Sequence, residues 1–474
     1  IPALDDVLGG GLVPHRLYLV SGDPGAGKTT LGLQFLLEGR RVGESGLYVT
    51  LSETREELTA VAASHGWSLD GIDIFELGPS AEELDPDQQY TMFHPSEVEL
   101  SETTRAILER VEQVKPQRVV FDSLSEMRLL AQSPLRYRRQ ILALKQFFVG
   151  REATLVLLDD RTAEVADTHL QSIAHGVLSL EMLNPEYGGE RRRLSVTKFR
   201  GRQFRGGYHD YRIRPGGLDV FPRLVAAEHR EARPVAQLRT GVEGLDKLLG
   251  GGIEEGTSAL VIGPAGTGKS TLAARVAYEV ACRGDCADLF IFDESPATLL
   301  GRTASLGVPL GDHTASGRVR IHPIDPAELS PGEFAALVRR CVEGSPDRPG
   351  ARVVVIDSLN GYLNAMPEEK FLIIQLHELL SYLRQKGVIT LLVLAQAGLL
   401  GTTSSPVDAS YLADAVLLLR YFEAGGEIRQ AISVVKKRSG AHERSIRELT
   451  FGQGGVVVGE TLREFQGILA GVPQ

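Results

Sequence analysis

Short runs of apolar and β-branched residues alternate along the chain with longer stretches whose apolar positions recur at helical spacing. Leu17-Tyr18-Leu19-Val20, Leu47-Tyr48-Val49-Thr50, Val119-Val120-Phe121 and Val353-Val354-Val355-Ile356 read as buried strands. Arg136 to Phe148 is an amphipathic helical segment, and another helical pattern begins at Thr30. Strands alternating with helices predict an α/β fold, a mainly parallel sheet flanked by helices.

The pattern occurs twice. Leu4-Asp5-Asp6-Val7-Leu8-Gly9-Gly10-Gly11 returns as Leu245-Asp246-Lys247-Leu248-Leu249-Gly250-Gly251-Gly252, and Lys28 with Lys269, and Glu53 with Glu294, keep the same spacing of 241 residues. Asp122 and Asp357 stand 235 apart, so the intervening loops differ slightly in length. A period this long is a duplicated domain, since each half is large enough to bury its own core. We expect a first domain over residues 1–224, a polar linker over 225–236 that includes Glu228, Arg230, Glu231 and Pro234, and a second domain over 237–474.

Composition narrows the class further. Of the 474 residues 43% are hydrophobic and 24% charged, which is the balance of a globular protein. A formal charge of -10 argues against a surface built for nucleic acid. The Arg136-Tyr137-Arg138-Arg139 cluster reads as a solvated helix face, because no aromatic platform accompanies it. Three cysteines without a second ligand pair predict free thiols in a reducing cytoplasm. The longest apolar stretch, Val388 to Leu400, is interrupted by Gln396 and is too short to span a membrane. The chain opens at Ile1 inside a motif, so residues are expected to precede it.

The candidate chemistry lies where strands end. Gly22, Asp23, Pro24, Gly25, Ala26, Gly27, Lys28 and Thr29, followed by Thr30, form a P-loop between the first strand and its helix. Gly263, Pro264, Ala265, Gly266, Thr267, Gly268, Lys269 and Ser270, followed by Thr271, repeat it. In such a loop the glycines let backbone N–H groups converge on phosphates, the lysine reaches the terminal phosphates of ATP, and the Thr29 or Ser270 hydroxyl binds Mg2+. Asp122 and Asp357, each closing an apolar strand, are the expected second metal ligands. A carboxylate there also serves as a turn cap.

Hydrolysis additionally needs a group that orients or deprotonates water, and Glu53 and Glu294, just past the second strand of each half, are the candidates. Asp293 precedes Glu294 and makes a pair of acids, whereas Ser52 precedes Glu53. Each half closes on a Lys-x-Arg element, Lys198-Phe199-Arg200 and Lys436-Lys437-Arg438. These cations suit fingers that reach a neighbouring subunit's phosphates, although an exposed strand with outward charges presents the same pattern.

Order, spacing and duplication of these motifs resemble the KaiC family of circadian-clock ATPases over essentially the whole chain. The resemblance implies a RecA-like fold in each half and a two-tiered homohexamer with ATP between subunits. It also implies protein signalling partners, an ATPase first half, and a second half that adds autophosphorylation. Glu53 and Glu294 match the catalytic glutamates, and Asp293 matches the partner acid, whose place in the first half is taken by Ser52. The family's adjacent Ser and Thr acceptors correspond to Ser410 and Tyr411, so Ser410 is the phosphoacceptor candidate. Two other classes fit a P-loop: a DNA-dependent recombinase, against which duplication and acidity count, and an assembly scaffold gated by nucleotide with little turnover.

Overall fold

The computed structural model describes residues 1–77, 95–131, 133–161, 168–185, 188–230, 236–364, 372–396 and 410–463. The chain divides into two compact units, Ile1–Arg223 and Leu224–Gln474. Leu224 and Ala226 pack into the core of the second unit, and the Ala226 N–H donates to Glu378 Oε2 at 3.2 Å. The expected linker is therefore, as far as Arg230, part of that unit, while residues 231–235 lie outside the described residues.

The first unit contributes nine strands: β1 (Leu17–Gly22), β2 (Gly46–Thr50), β3 (Ile72–Glu76), β4 (Arg118–Asp122), β5 (Thr154–Asp160), β6 (Gly176–Leu183), β7 (Arg191–Phe199), β8 (Tyr208–Arg214) and β9 (Gly217–Phe221). They form one sheet in the order β3-β2-β4-β5-β1-β6-β7-β8-β9. Neighbours from β3 to β6 run parallel, and β7 to β9 continue the sheet antiparallel.

The second unit opens with the short pair β10 (Gln237–Leu238) and β11 (Ile253–Glu254). Its main strands are β12 (Ser258–Gly263), β13 (Ala287–Ile291), β14 (Val319–Pro323), β15 (Val353–Asp357), β16 (Ile389–Ala395), β17 (Ala415–Ala424), β18 (Glu427–Lys437), β19 (Ile446–Gly452) and β20 (Gly455–Thr461). Their order, β14-β13-β15-β16-β12-β17-β18-β19-β20, is the first sheet repeated. Both units are RecA-like α/β domains.

Burial explains why the central strands read as continuous apolar runs. All five residues of β2 and of β13 are buried, because helices cover both faces of the sheet. Successive side chains enter opposite cores: in β1, Tyr18 and Val20 join one cluster while Leu17 and Leu19 join the other. In β12, Ala259 and Val261 part from Leu260 in the same way. Trp67 packs partly buried against the first core, and Arg136, Arg138 and Arg139 are exposed on helix Pro134–Phe148, with Tyr137 turned inward. Among the described residues no helix is long and apolar enough to cross a membrane, and Cys282, Cys286 and Cys341 are all free. Residues 397–400 of the long apolar stretch lie outside the described residues.

Candidate active site

In a parallel sheet flanked by helices, the loops beyond the carboxyl ends of the strands gather at one edge. β1 leads there into the P-loop and β12 into its repeat. Gly27 has φ 86° and caps helix Lys28–Arg41, and Gly268 has φ 88° and caps helix Lys269–Cys282. Both positions demand glycine twice over. The backbone is left-handed, and a Cβ would fall 2.5 Å from Ile213 Cδ1 in one case and collide with the Phe451 ring in the other. Tyrosines from the antiparallel strands brace the loops: Tyr211 OH donates to Ala26 O at 2.6 Å, and Tyr421 OH to Ala265 O at 3.2 Å.

Both P-loop lysines are buried. Lys28 Nζ donates to Gly22 O at 3.1 Å and Asp23 O at 3.0 Å and forms an ion pair with Asp160 Oδ1 at 2.6 Å. Lys269 Nζ donates to Pro264 O at 2.7 Å, and burial brings its ammonium down to about 8, an effect that Asp357 partly opposes. Not every predicted loop residue faces the site. The Asp23 carboxylate accepts the Met182 N–H at 3.1 Å, and the Thr267 hydroxyl donates to Pro264 O at 2.9 Å. Thr30 Oγ1 lies 3.5 Å from His65 Nε2, and Thr271 Oγ1 accepts from Arg302.

The expected metal ligands meet in both halves. Thr29 Oγ1 donates to Asp122 Oδ2 at 3.2 Å, and the Ser270 hydroxyl hydrogen-bonds Asp357. Burial pushes both aspartates above the usual carboxylate range, against the pull of these hydroxyls. In the first half Tyr48 OH also donates to Asp122 Oδ2, at 2.5 Å. Tyr48 looks like an ordinary core residue of a central strand, so nothing in the sequence reveals this role.

Capping fixes the glutamates. Thr54 and Glu57 form a reciprocal capping box at the start of helix Arg55–Ser64, which anchors the chain directly after Glu53. Ser295 caps helix Pro296–Ser305 in the equivalent place. Glu53 Oε2 is buried without a hydrogen-bond partner. Burial, and next the charge of Asp122, push this carboxyl up to about 7, against the pull of the Thr29 hydroxyl. Glu294 instead forms an ion pair with Arg302 at 2.6 Å, and Asp293, exposed, accepts a short hydrogen bond from Ser358. Ser52 is exposed. Position 61, which matches Arg302 at the repeat spacing, is Val61. The two glutamates therefore occupy opposite electrostatic settings despite their matching positions.

A single chain does not bring the Lys-x-Arg elements to its own P-loops. Val177 pairs with Lys198 and Tyr18 with Gly176, so Lys198 and Arg200 lie at the amino edge of the parallel strands. Lys198 Nζ donates to Gln171 O at 2.6 Å and Arg200 Nη2 to Ser172 O at 2.8 Å. The second half repeats the arrangement, with Lys436 Nζ 2.6 Å from Ser410 O and Arg438 Nη2 2.7 Å from Tyr411 O. Ser410 is half-buried and Tyr411 is exposed, both at that same edge just before β17.

Glycine-capped P-loops, each followed across the sheet edge by a carboxylate and a glutamate, define a tandem pair of P-loop nucleotide-binding domains. The sequence profile of the KaiC ATPase matches residues 1–225 and again 238–463. The chain belongs to the KaiC ATPase family, which makes it an ATP-binding ATPase. The circadian clock oscillator proteins KaiC of Picosynechococcus sp. and Synechococcus elongatus are each 28% identical to it, with all of this chain and 91% of theirs covered. That of Thermosynechococcus vestitus is 28% identical, with all of this chain and 90% of its own length covered.

Removing the Tyr48 hydroxyl tests how much the buried Asp122 depends on it. Tyr48→Phe is expected to lower stability by about 1–3 kcal/mol, the cost of a buried carboxylate losing a donor. Urea unfolding at pH 7.5 measures it.

Proposed function

We propose that both P-loops bind Mg-ATP and hydrolyse it, that the chain assembles as a homohexamer with ATP between subunits, and that the second half also phosphorylates Ser410. The observation that carries the hydrolytic reading is the convergence, at one sheet edge, of a glycine-capped lysine, a hydroxyl bonded to a buried aspartate, and a glutamate with an orphaned buried oxygen. In each half a hydroxyl–aspartate pair, joined in the first half by a carboxylate oxygen lacking a partner, offers only oxygen donors and suits a hard cation. Thr29 with Asp122, and Ser270 with Asp357, would hold Mg2+ there, and the ion would neutralise charge on the phosphates.

The residues of the chain divide the remaining work. P-loop amides and the lysine ammonium hold the phosphates. The Glu53 carboxylate accepts the proton of the attacking water as the new O–P bond forms and the bond between the β and γ phosphates breaks. Lys198, Arg200, Lys436 and Arg438 act on the neighbouring subunit's nucleotide. Their place at the edge opposite their own P-loops supports action in trans. Ser410 shares that edge, so it too would meet the neighbour's γ-phosphate. The Glu294–Arg302 ion pair favours slower hydrolysis in the second half, because a carboxylate oxygen already engaged by a guanidinium is less available to the attacking water.

Glu53→Gln together with Glu294→Gln is expected to lower phosphate release by about 10²–10⁴-fold, the usual contribution of a general base. Hexamers formed with Mg-ATP in sedimentation should survive the change. Undiminished release would remove both glutamates from the mechanism. Phosphopeptide mapping after incubation with Mg-ATP is expected to place phosphate on Ser410. An unmodified Ser410 under every nucleotide condition would withdraw the kinase activity and leave the hydrolase standing.

A carboxyl that titrates at about 7 is neutral, and useless as a base, at lower pH. In an Asp293→Asn, Glu294→Gln background, kcat/KM for ATP at the first site should fall about tenfold per pH unit below 7 and level off above it. A flat profile from pH 5.5 to 8 would exclude Glu53 as the titrating base.

A further inference from the structure

The two P-loop lysines differ in one respect that their matching motifs conceal. Lys28 Nζ lies 2.6 Å from Asp160 Oδ1, with the lysine side chain only 9% exposed. An ammonium has three donors. In Lys28 the carbonyls of Gly22 and Asp23 take two of them, and Asp160 takes the third. The carboxylate is itself held in place, since Ser125 Oγ donates to Asp160 Oδ2 at 3.3 Å and accepts the Asp160 N–H at 3.2 Å.

Strand register places this acid. Asp160 is the last residue of β5 and pairs with Gly22, the first residue of the P-loop. The corresponding partner of Gly263 on β16 is Ala395, which has no charge to offer. Among the described residues Lys269 accordingly forms no such ion pair, and its ammonium donates to Pro264 O instead.

We propose that Asp160 sets the nucleotide affinity of the first site: its carboxylate competes with the terminal phosphates of ATP for the Lys28 ammonium, and the second site, with Ala395 in that place, binds more tightly. The proposal rests on the reading of both P-loops as ATP sites. Occupancy exchanges one ion pair for another, so no donor of Lys28 is left unsatisfied when the phosphate departs. Asp160 also remains beside the bound triphosphate as a second negative charge, screened poorly in a site walled by protein. Asp160 is thus a positioning residue that acts through Lys28 and need not touch the reacting atoms.

The test uses the full chain with one P-loop disabled at a time. In a Lys269→Ala background, equilibrium binding of a fluorescent ATP analogue with Mg2+ reports the first site. Asp160→Asn is isosteric and keeps an oxygen for Ser125. It is expected to lower Kd at least about tenfold, or ~1.4 kcal/mol. In a Lys28→Ala background, Ala395→Asp should raise the Kd of the second site by a comparable factor. An unchanged or weakened affinity in Asp160→Asn, in protein that unfolds cooperatively, would overturn the proposal. So would an Ala395→Asp variant that binds as its parent does. If the Lys269→Ala protein binds no analogue with either residue at 160, the first P-loop is not a nucleotide site, and that separate failure ends the reading beneath the proposal.

Discussion

Parallel pairing around β1, and around β12 in the second unit, is the constraint on which both sites depend. It holds the P-loop strand between two neighbours running the same way, so that their carboxyl ends open onto one edge. Residues that are remote in sequence become adjacent through register alone: Gly22 faces Asp160, and Thr50, three residues before Glu53, faces Asp122. A slip of one residue in β4 would turn Asp122 to the opposite face and take the site apart. The buried runs on both faces of the sheet guard against such a slip, because each strand feeds two cores at once.

Duplication has preserved this frame and altered its charges. In the first half the lysine is held by a carboxylate and, among the described residues, the glutamate has no ion-pair partner. In the second half the lysine lacks that carboxylate and the glutamate is held by Arg302. The same skeleton therefore presents two sites with opposite points of restraint. Sites equal in motif need not be equal in affinity or rate, since a single charge within hydrogen-bond reach outweighs many shared backbone contacts.

The two edges of each sheet carry different chemistry. Acids and P-loops occupy the carboxyl edge, while the Lys-x-Arg elements and Ser410 occupy the amino edge. Within one chain the cations rest on carbonyls of the short helix Thr168–Ile173 before β6 and of the turn before β17, so the basic residues are satisfied without reaching a phosphate.

The sequence by itself determined the repeated α/β frame, the P-loops and the carboxylates after the strands. These are local matters: strand patterning, glycine at left-handed positions, and a cap after each glutamate all lie within a few residues. Tertiary structure alone decided which lysine meets a carboxylate, because Asp160 arrives on a strand that begins more than a hundred residues after the P-loop. The apolar run Leu155 to Leu158 ending in Asp159 and Asp160 was a visible signal, since it has the same form as the strand ending at Asp122. Tyr48 and Arg302 left no such mark, for a tyrosine in a central strand and an arginine on a helix have ordinary reasons to be there. Their significance comes from low-dielectric surroundings, and only the folded chain says which charges share them.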